Sequence, residues 1–267
     1  IEAEEGMTII EAAHRAGIHI PHLCYHPMLE NTGACRMCVV EVEGVRILQA
    51  ACVTPVRQGM VVRNDSERVI AARRTVLDLL FSNHPHDCLT CQRTGDCRLQ
   101  DYCYEYGVKE GSYRFDRKHI PIDDSNPFFI RDLEKCILCS RCVRICDEVQ
   151  GAHVYDFINR GYNTVVGTAY QSSLVDSTCI FCGQCITVCP TAALVPKFAI
   201  GKGRVWQLEK VRTICSFCGV GCAINLEVRD GHVIGVTPAN GPANHNLLCV
   251  KGRFGHDYIH HPDRLTK

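Results

Sequence analysis

This sequence carries no surplus of either charge: 29 Lys and Arg balance 29 Asp and Glu over 267 residues, for a formal net charge of zero. A balanced chain offers no electrostatic footing for a nucleic-acid backbone or an anionic membrane surface. No apolar run approaches the roughly 18 residues that a membrane span requires, and no export-signal pattern opens the chain. There is no initiator methionine, since the first residue is Ile1, so the chain is expected to begin in mid-sequence. The length suffices for two ordinary domains or several small ones. Cysteine is abundant, at 20 residues. In an exported chain that density would mean disulfides. Here the cysteines fall into five local groups, several with only two residues between neighbours. Thiols held side by side on one loop suit a metal and are awkward for separate bridges. We therefore read a reducing, cytoplasmic setting and thiolate-held metal.

Regular secondary structure is sparse. "TIIEAAHRAG" predicts a short helix with a Thr8–Glu11 capping box and Gly17 as terminator. Val39 to Leu48 predicts a hairpin about Glu43-Gly44. From Glu67 to Ser82, Val69, Ala72, Val76, Leu79 and Leu80 recur at helical spacing, and the helix should end near His84-Pro85. Residues 116–127 are polar and proline-bearing and read as a linker. "CAINLEVRDGHVIGVTP" predicts a hairpin about Asp230-Gly231. Such small apolar segments cannot organise a fold alone, so metals are expected to do much of that work.

The strongest signal is an internal repeat. Cys136, Cys139, Cys142 and Cys146 match C-x2-C-x2-C-x3-C, and Cys179, Cys182, Cys185 and Cys189 match it again about 43 residues on, with Pro190 following. This is the bacterial ferredoxin run, in which the fourth cysteine of each copy ligates the other cluster. The expected assignment is Cys136, Cys139, Cys142 and Cys189 on one [4Fe–4S] cluster, with Cys179, Cys182, Cys185 and Cys146 on its neighbour. Zinc also takes four thiolates, but typically as two separated pairs. Cys24, Cys35, Cys38 and Cys52 have an outlying cysteine, a close pair and a distal fourth, which we assign to [2Fe–2S] with zinc as the alternative. Small Gly33 and Ala34 there let backbone N–H groups approach the sulfurs. Cys215, Cys218, Cys222 and Cys249 are not a ferredoxin run and should form a separate [4Fe–4S] site. Lys251, two residues beyond, is either a charge beside that site or a solvated lysine. "HPHDCLTCQRTGDC" supplies Cys88, Cys91 and Cys97. By spacing alone the fourth ligand is His84 or Cys103.

The order of these motifs resembles the N-terminal part of the molybdenum- or tungsten-dependent, NAD(P)-linked formate dehydrogenase α subunit. It also resembles the large iron–sulfur subunit of respiratory complex I and the accessory domains of iron-only hydrogenases. The likeness covers nearly the whole chain. It implies an α+β string of small iron–sulfur domains. These are a [2Fe–2S] ferredoxin-like β-grasp domain over 1–66 and a helical [4Fe–4S] domain over 67–115. A two-cluster ferredoxin-like domain over 116–206 follows, and 207–267 open a bis-pterin oxidoreductase domain. In that family the "HPHDCLTCQRTGDC" site uses one histidine and three cysteines, so the resemblance favours His84 and leaves Cys103 spare. "TICSFCGVGCAINLEV" with "LLCVKGRFGHDYIHHPDRLT" resembles the start of the pterin domain, and it implies that Lys251 bridges cluster and pterin. The implied function is electron transfer through one [2Fe–2S] and four [4Fe–4S] clusters in an oxidoreductase. Electrons from formate would pass from the Cys215 cluster through the ferredoxin-like pair and the His84 cluster. They would end on the [2Fe–2S] centre or a partner's clusters. The implied partners are a flavin- and NAD(P)-binding iron–sulfur subunit, a small [2Fe–2S] subunit and ferredoxin. A non-catalytic relay subunit of a complex I-like or electron-bifurcating assembly is the alternative. Two departures matter. The strand that should precede "IEAEEGMT" is missing, and residues for formate chemistry at a Mo or W bis-pterin guanine dinucleotide would lie beyond Lys267.

Overall fold

The computed structural model describes residues 1–113, 117 and 119–265. The first unit sets helix α1 (Ile9–Arg15) against a three-stranded antiparallel sheet in the order β2-β1-β3. The Glu11 carboxylate accepts from the Thr8 N–H at 2.8 Å and the Thr8 hydroxyl at 2.7 Å. Gly17 (φ +74°) ends the helix as expected. The hairpin is built differently from its sequence reading. β1 (Val39–Val42) pairs through Val39 and Val40 with β2 (Gln49–Ala50), and through Glu41 and Val42 with β3 (Val62–Arg63). The turn about Glu43-Gly44 does form, with the Val45 N–H donating to the Val42 carbonyl at 3.0 Å and Gly44 at φ +77°. Residues 45–48 then loop out before the return strand, because β1 divides its length between two partners.

Helix α2 (Glu67–Ser82) begins at Ser66, whose hydroxyl accepts from the Val69 N–H at 3.4 Å. Its buried stripe is Val69, Arg73 and Leu77, while Leu79 is exposed. Arg73 displaces the expected apolar positions because its whole donor set is satisfied. It bonds the carbonyls of Met37 (3.1 Å), Val39 (2.8 Å) and Asn64 (2.9 Å), Asn64 Oδ1 (2.5 Å) and the Tyr106 hydroxyl (2.9 Å). Helix α3 (Arg98–Glu105) packs on α2, and their shared core reaches back to Leu23 and Met37 of the first unit.

The expected linker over 116–127 falls partly on residues 116 and 118, which lie outside the described residues. The part from 119 onward is pinned to the next unit. Asp123 forms a main-chain bridge with Arg131, and Asn126, 1% exposed, holds the main chain of Phe128 and Phe129. Satisfying those backbone groups needs a fixed partner, so this stretch is structured where composition suggested a tether.

The repeat then folds as two interlocked halves. β4 (Phe129–Arg131) leads into α4 (Arg141–Arg144), which runs on as a π turn over 145–149. β5 (Asp156–Ile158) and β6 (Val165–Gly167) form a hairpin, followed by α5 (Gln184–Val188) and β7 (Leu194–Pro196). β4 pairs antiparallel with β7, the last strand of the second half. That long-range pairing folds each cysteine run against the other. The final unit is an antiparallel sheet β10-β9-β8 (His232–Pro238, Ala223–Arg229, Glu209–Ile214) with α6 (Val250–Phe254). The β9–β10 turn has Asp230 at φ +50° and Gly231 at φ +77°, the two-residue conformation expected there. Among the described residues, no helix is long and apolar enough to cross a membrane.

Candidate metal centres

Among the described residues no cysteine is joined to another by a disulfide. The structure brings Cys24, Cys35, Cys38 and Cys52 together under β1 and β2. Cys24, Cys38 and Cys52 are buried, and Cys38 Sγ lies 3.4 Å from Cys52 Sγ. The Cys24 and Cys35 N–H groups donate to each other's sulfurs at 3.4 and 3.5 Å. Gly33 (φ +63°) permits this turn, and a Cβ there would meet the Val53 side chain at 3.1 Å. Hydrogen bonds from the Cys35 and Cys52 thiols hold Cys24 well below the usual thiol range, and the Cys52 contact brings Cys38 down to about 7.

Thiols of the two runs share environments across the repeat. Cys136, Cys139 and Cys142 are grouped electrostatically with Cys189, and these four cysteines line one pocket. Cys146 instead faces Cys179, Cys182 and Cys185. The two runs are conformational copies. Leu138 and Ser140 have φ +52° and +61°, and their equivalents Phe181 and Gly183 have φ +52° and +70°. Left-handed backbone at non-glycine residues costs about 1 kcal/mol or more and persists where the surroundings demand it. The demand here is N–H to sulfur: Leu138 donates to Cys136 Sγ and Phe181 to Cys179 Sγ, both at 3.4 Å.

In the second group, His84, Cys91, Cys97 and Cys103 are buried and Cys88 is half-buried. Burial pushes the His84 imidazole down to about 4, so it is neutral at physiological pH. Its Nδ1 is buried and has no hydrogen-bond partner among the described residues. Cys103 lies on α3 in the core formed with Leu77, Leu99 and Tyr102, within electrostatic reach of Cys97 and Cys88. Burial raises its thiol to about 12. Lys135 lies over this group, its Nζ 2.8 Å from Asp87 and 3.3 Å from Asp132.

In the last group, Cys218 and Cys249 are exposed, and Cys215 and Cys222 are half-buried. The Cys215 N–H donates to the Cys222 carbonyl at 2.8 Å, and Gly252 keeps clear the space between Cys215 and Cys249. Lys251 is exposed on the first turn of α6. Burial also raises Cys139 to about 12 and Cys97 to about 11, so loading these sites must displace protons.

These residues fit iron–sulfur clusters on three observations. They are N–H groups aimed at sulfurs, two buried nitrogens (His84 Nδ1 and Arg141 Nε) beside the cysteine sets with no partner among the described residues, and a pocket lined in part by four cysteines. Among the described residues no group of three or more His, Cys, Asp or Glu converges as ligands of a single metal ion. A cluster spreads its ligands over several irons and does not require such convergence. The sequence pattern missed the buried arginines that lie between the sets, Arg141, Arg144 and Arg253. Their only signal was basic residues placed between or just after ligand cysteines.

Fold and site define a multi-centre iron–sulfur protein. The family comparisons agree segment by segment. Residues 1–67 match a 2Fe-2S iron-sulfur cluster binding domain, and 73–112 match the NADH-ubiquinone oxidoreductase-G iron-sulfur binding region. Residues 126–195 match the NADH-quinone oxidoreductase subunit 3 ferredoxin-like domain, and 208–261 a molybdopterin oxidoreductase Fe4S4 domain. The chain is 40% identical to an NADH-quinone oxidoreductase subunit of Rhizobium meliloti, over 100% of this chain and 31% of that protein. It is 39% identical to the NADPH-Fe(3+) oxidoreductase subunit alpha of Geobacter sulfurreducens, over 97% and 30%. It also superposes on a chain of an NAD+-reducing [NiFe]-hydrogenase crystal structure with TM-score 0.71 and 35% identity, covering 76% of this chain and 86% of that one. The chain belongs to the family of [2Fe–2S]- and [4Fe–4S]-bearing subunits of NADH- and NADPH-linked oxidoreductases. It spans about a third of the length of the Rhizobium and Geobacter relatives.

Proposed function

We propose that this chain is the electron-transfer portion of an NAD(P)-linked oxidoreductase subunit, with one [2Fe–2S] and four [4Fe–4S] sites. The ligands would be Cys24, Cys35, Cys38 and Cys52; His84, Cys88, Cys91 and Cys97; the two crossed ferredoxin-like sets; and Cys215, Cys218, Cys222 and Cys249. The observation that supports this is that Cys189 lines the same pocket as Cys136, Cys139 and Cys142, while Cys146 lies within electrostatic reach of Cys179, Cys182 and Cys185. When bound, such clusters accept and release single electrons, while the protein's residues fix their spacing and potentials. The domain division proposed is 1–66, 67–115, 116–206 and 207–267. The partner proposed is a flavin- and NAD(P)-binding subunit.

The finer reading is the N-terminal part of a formate dehydrogenase catalytic subunit, in which Lys251 lies between the last site and a Mo or W pterin. The resemblance of residues 208–261 to a molybdopterin oxidoreductase domain supports it. The activities of the Rhizobium and Geobacter relatives favour instead a relay subunit in an NAD(P)H oxidoreductase. Metal analysis of the anaerobically purified full-length protein separates them. Molybdenum or tungsten with formate-dependent dye reduction supports the first reading. About 18 irons per chain with NAD(P)H-dependent reduction and neither heavy metal supports the second. Iron far below that content rejects both.

A further inference from the structure

Three arginines near the cysteine sets have no ligand role and are nearly inaccessible. Arg141, Arg144 and Arg253 are 5%, 7% and 3% exposed. A buried guanidinium costs several kcal/mol unless it is paired, yet no carboxylate lies within ion-pair distance of any of them among the described residues. Their donors go to neutral groups. Arg144 Nη2 bonds the Cys24 carbonyl at 2.6 Å and reaches the Cys139 carbonyl at 3.4 Å. Its Nε bonds Ser140 Oγ at 3.0 Å, and its Nη1 bonds the Glu30 carbonyl. Arg141 donates to the carbonyls of Tyr25 (2.5 Å) and Val188 (3.3 Å), and its buried Nε has no partner among the described residues. The Cys139, Cys24 and Cys35 sulfurs lie within electrostatic reach of Arg141. One helix therefore places two cations between the Cys24 set and the Cys136 set.

The same construction recurs at the other end. Arg253 Nε bonds the Cys182 carbonyl at 2.9 Å, and Nη2 bonds Gln184 Oε1 at 3.1 Å. The Gln184 amide in turn holds the Leu248 carbonyl at 2.8 Å. The guanidinium lies within electrostatic reach of Cys185, Cys182 and Cys249, and of the Glu227 carboxylate. Gly183 makes room for it, since a Cβ there would overlap Arg253 Cδ. Arg144 and Arg253 thus each bond the main chain of a ligand cysteine, while Arg141 bonds Tyr25, beside Cys24, and Val188, beside Cys189.

We propose that Arg141 with Arg144, and separately Arg253, are cationic latches between adjacent cluster sites, fixing their spacing and holding their reduction potentials up. The inference rests on the cluster reading above. Reducing a cluster adds a negative charge, and a fixed cation in a low-dielectric setting stabilises that reduced form. These are positioning residues and are not ligands.

The test is a redox titration of each cluster, followed by electron paramagnetic resonance, in the full-length protein purified without oxygen. Arg144→Gln should lower the midpoints of the [2Fe–2S] centre and of the Cys136–Cys189 cluster, leaving the Cys215–Cys249 cluster at its wild-type value. Arg253→Gln should lower the Cys179-set and Cys249-set midpoints and spare the [2Fe–2S] centre. Arg144→Lys, which keeps the charge, should stay near wild type. Unchanged midpoints in a loaded Arg144→Gln protein overturn the inference, as does a uniform shift of every cluster. Should Arg144→Gln lose the two flanking clusters, a loaded Arg144→Lys at wild-type potentials supports the latch. Loss of all clusters in both variants overturns it in favour of a general folding role. Wild-type protein without cluster signals defeats the underlying reading before any variant is made.

Discussion

Arg73 shows how far one side chain can determine a local fold here. It is 2% exposed, and its donors close the first unit onto α2 by holding Met37 and Val39, the neighbours of Cys38. Replacing it with methionine keeps the stem but orphans several carbonyls, each costing about 1–3 kcal/mol when buried and unpaired. Arg73→Met should therefore destabilise the first unit by about 3 kcal/mol or more and lower [2Fe–2S] occupancy. Thermal unfolding together with iron content checks this. At His84 the claim is chemical. A neutral, buried imidazole with an unpartnered nitrogen is suited to ligation, whereas Cys103 is held as a core thiol. His84→Ala should remove or alter the paramagnetic signal of one cluster, and Cys103→Ser should leave all signals intact. If the serine variant is the damaging one, the assignment is reversed.

At the scale of elements, what the sequence disclosed was local and what it concealed was long-range. The Thr8–Glu11 cap, the Asp230-Gly231 hairpin and the cysteine spacings each lie within a few residues, so their chemistry is readable from neighbours alone. The pairing of β4 with β7 joins segments over 60 residues apart in a three-residue register, too short to leave a periodic signature. Arg73 likewise defeated the periodicity of α2, because hydropathy patterns treat a guanidinium as an outward group. The left-handed turns of the two cysteine loops carry a prediction at this scale. Gly183→Ala adds a methyl at φ +70° that would collide with Arg253 Cδ. It should cost about 1–3 kcal/mol and perturb the Cys179 cluster more than the Cys136 cluster. The paired control is Ser140→Gly, which relieves backbone strain at φ +61° but deletes the Arg144 acceptor. The cluster-resolved spectra of the two variants should differ in which set is affected.

Across the whole molecule, the apolar cores are several and small, and cysteines are woven into nearly all of them. A core of that size contributes little net stability, so cluster binding is expected to supply a large share of folding free energy. Acid acts on the same balance. Burial lowers His84 and His22 to about 4 in the folded chain from 6.5 unfolded. As pH falls below 6.5 the unfolded state takes up protons that the folded state refuses, so stability declines with falling pH. The decline continues until the folded-state value near 4, and the limit is roughly 3 kcal/mol for each imidazole. Above pH 6.5 neither histidine contributes any slope. Thiolate ligands add to the trend, because protons compete with iron for the same sulfurs. Anaerobic denaturation curves from pH 8 to 5 should therefore fall throughout, because unfolded thiols are protonated below about 8.5 while ligating thiolates are not, and should steepen below about 6.5 as the histidines join. Iron release should follow the same curve. His22→Gln, which removes one titrating ring outside the proposed ligand set, should make the decline shallower without abolishing it. A stability that rises as the solution is acidified through this window would contradict the burial of both rings.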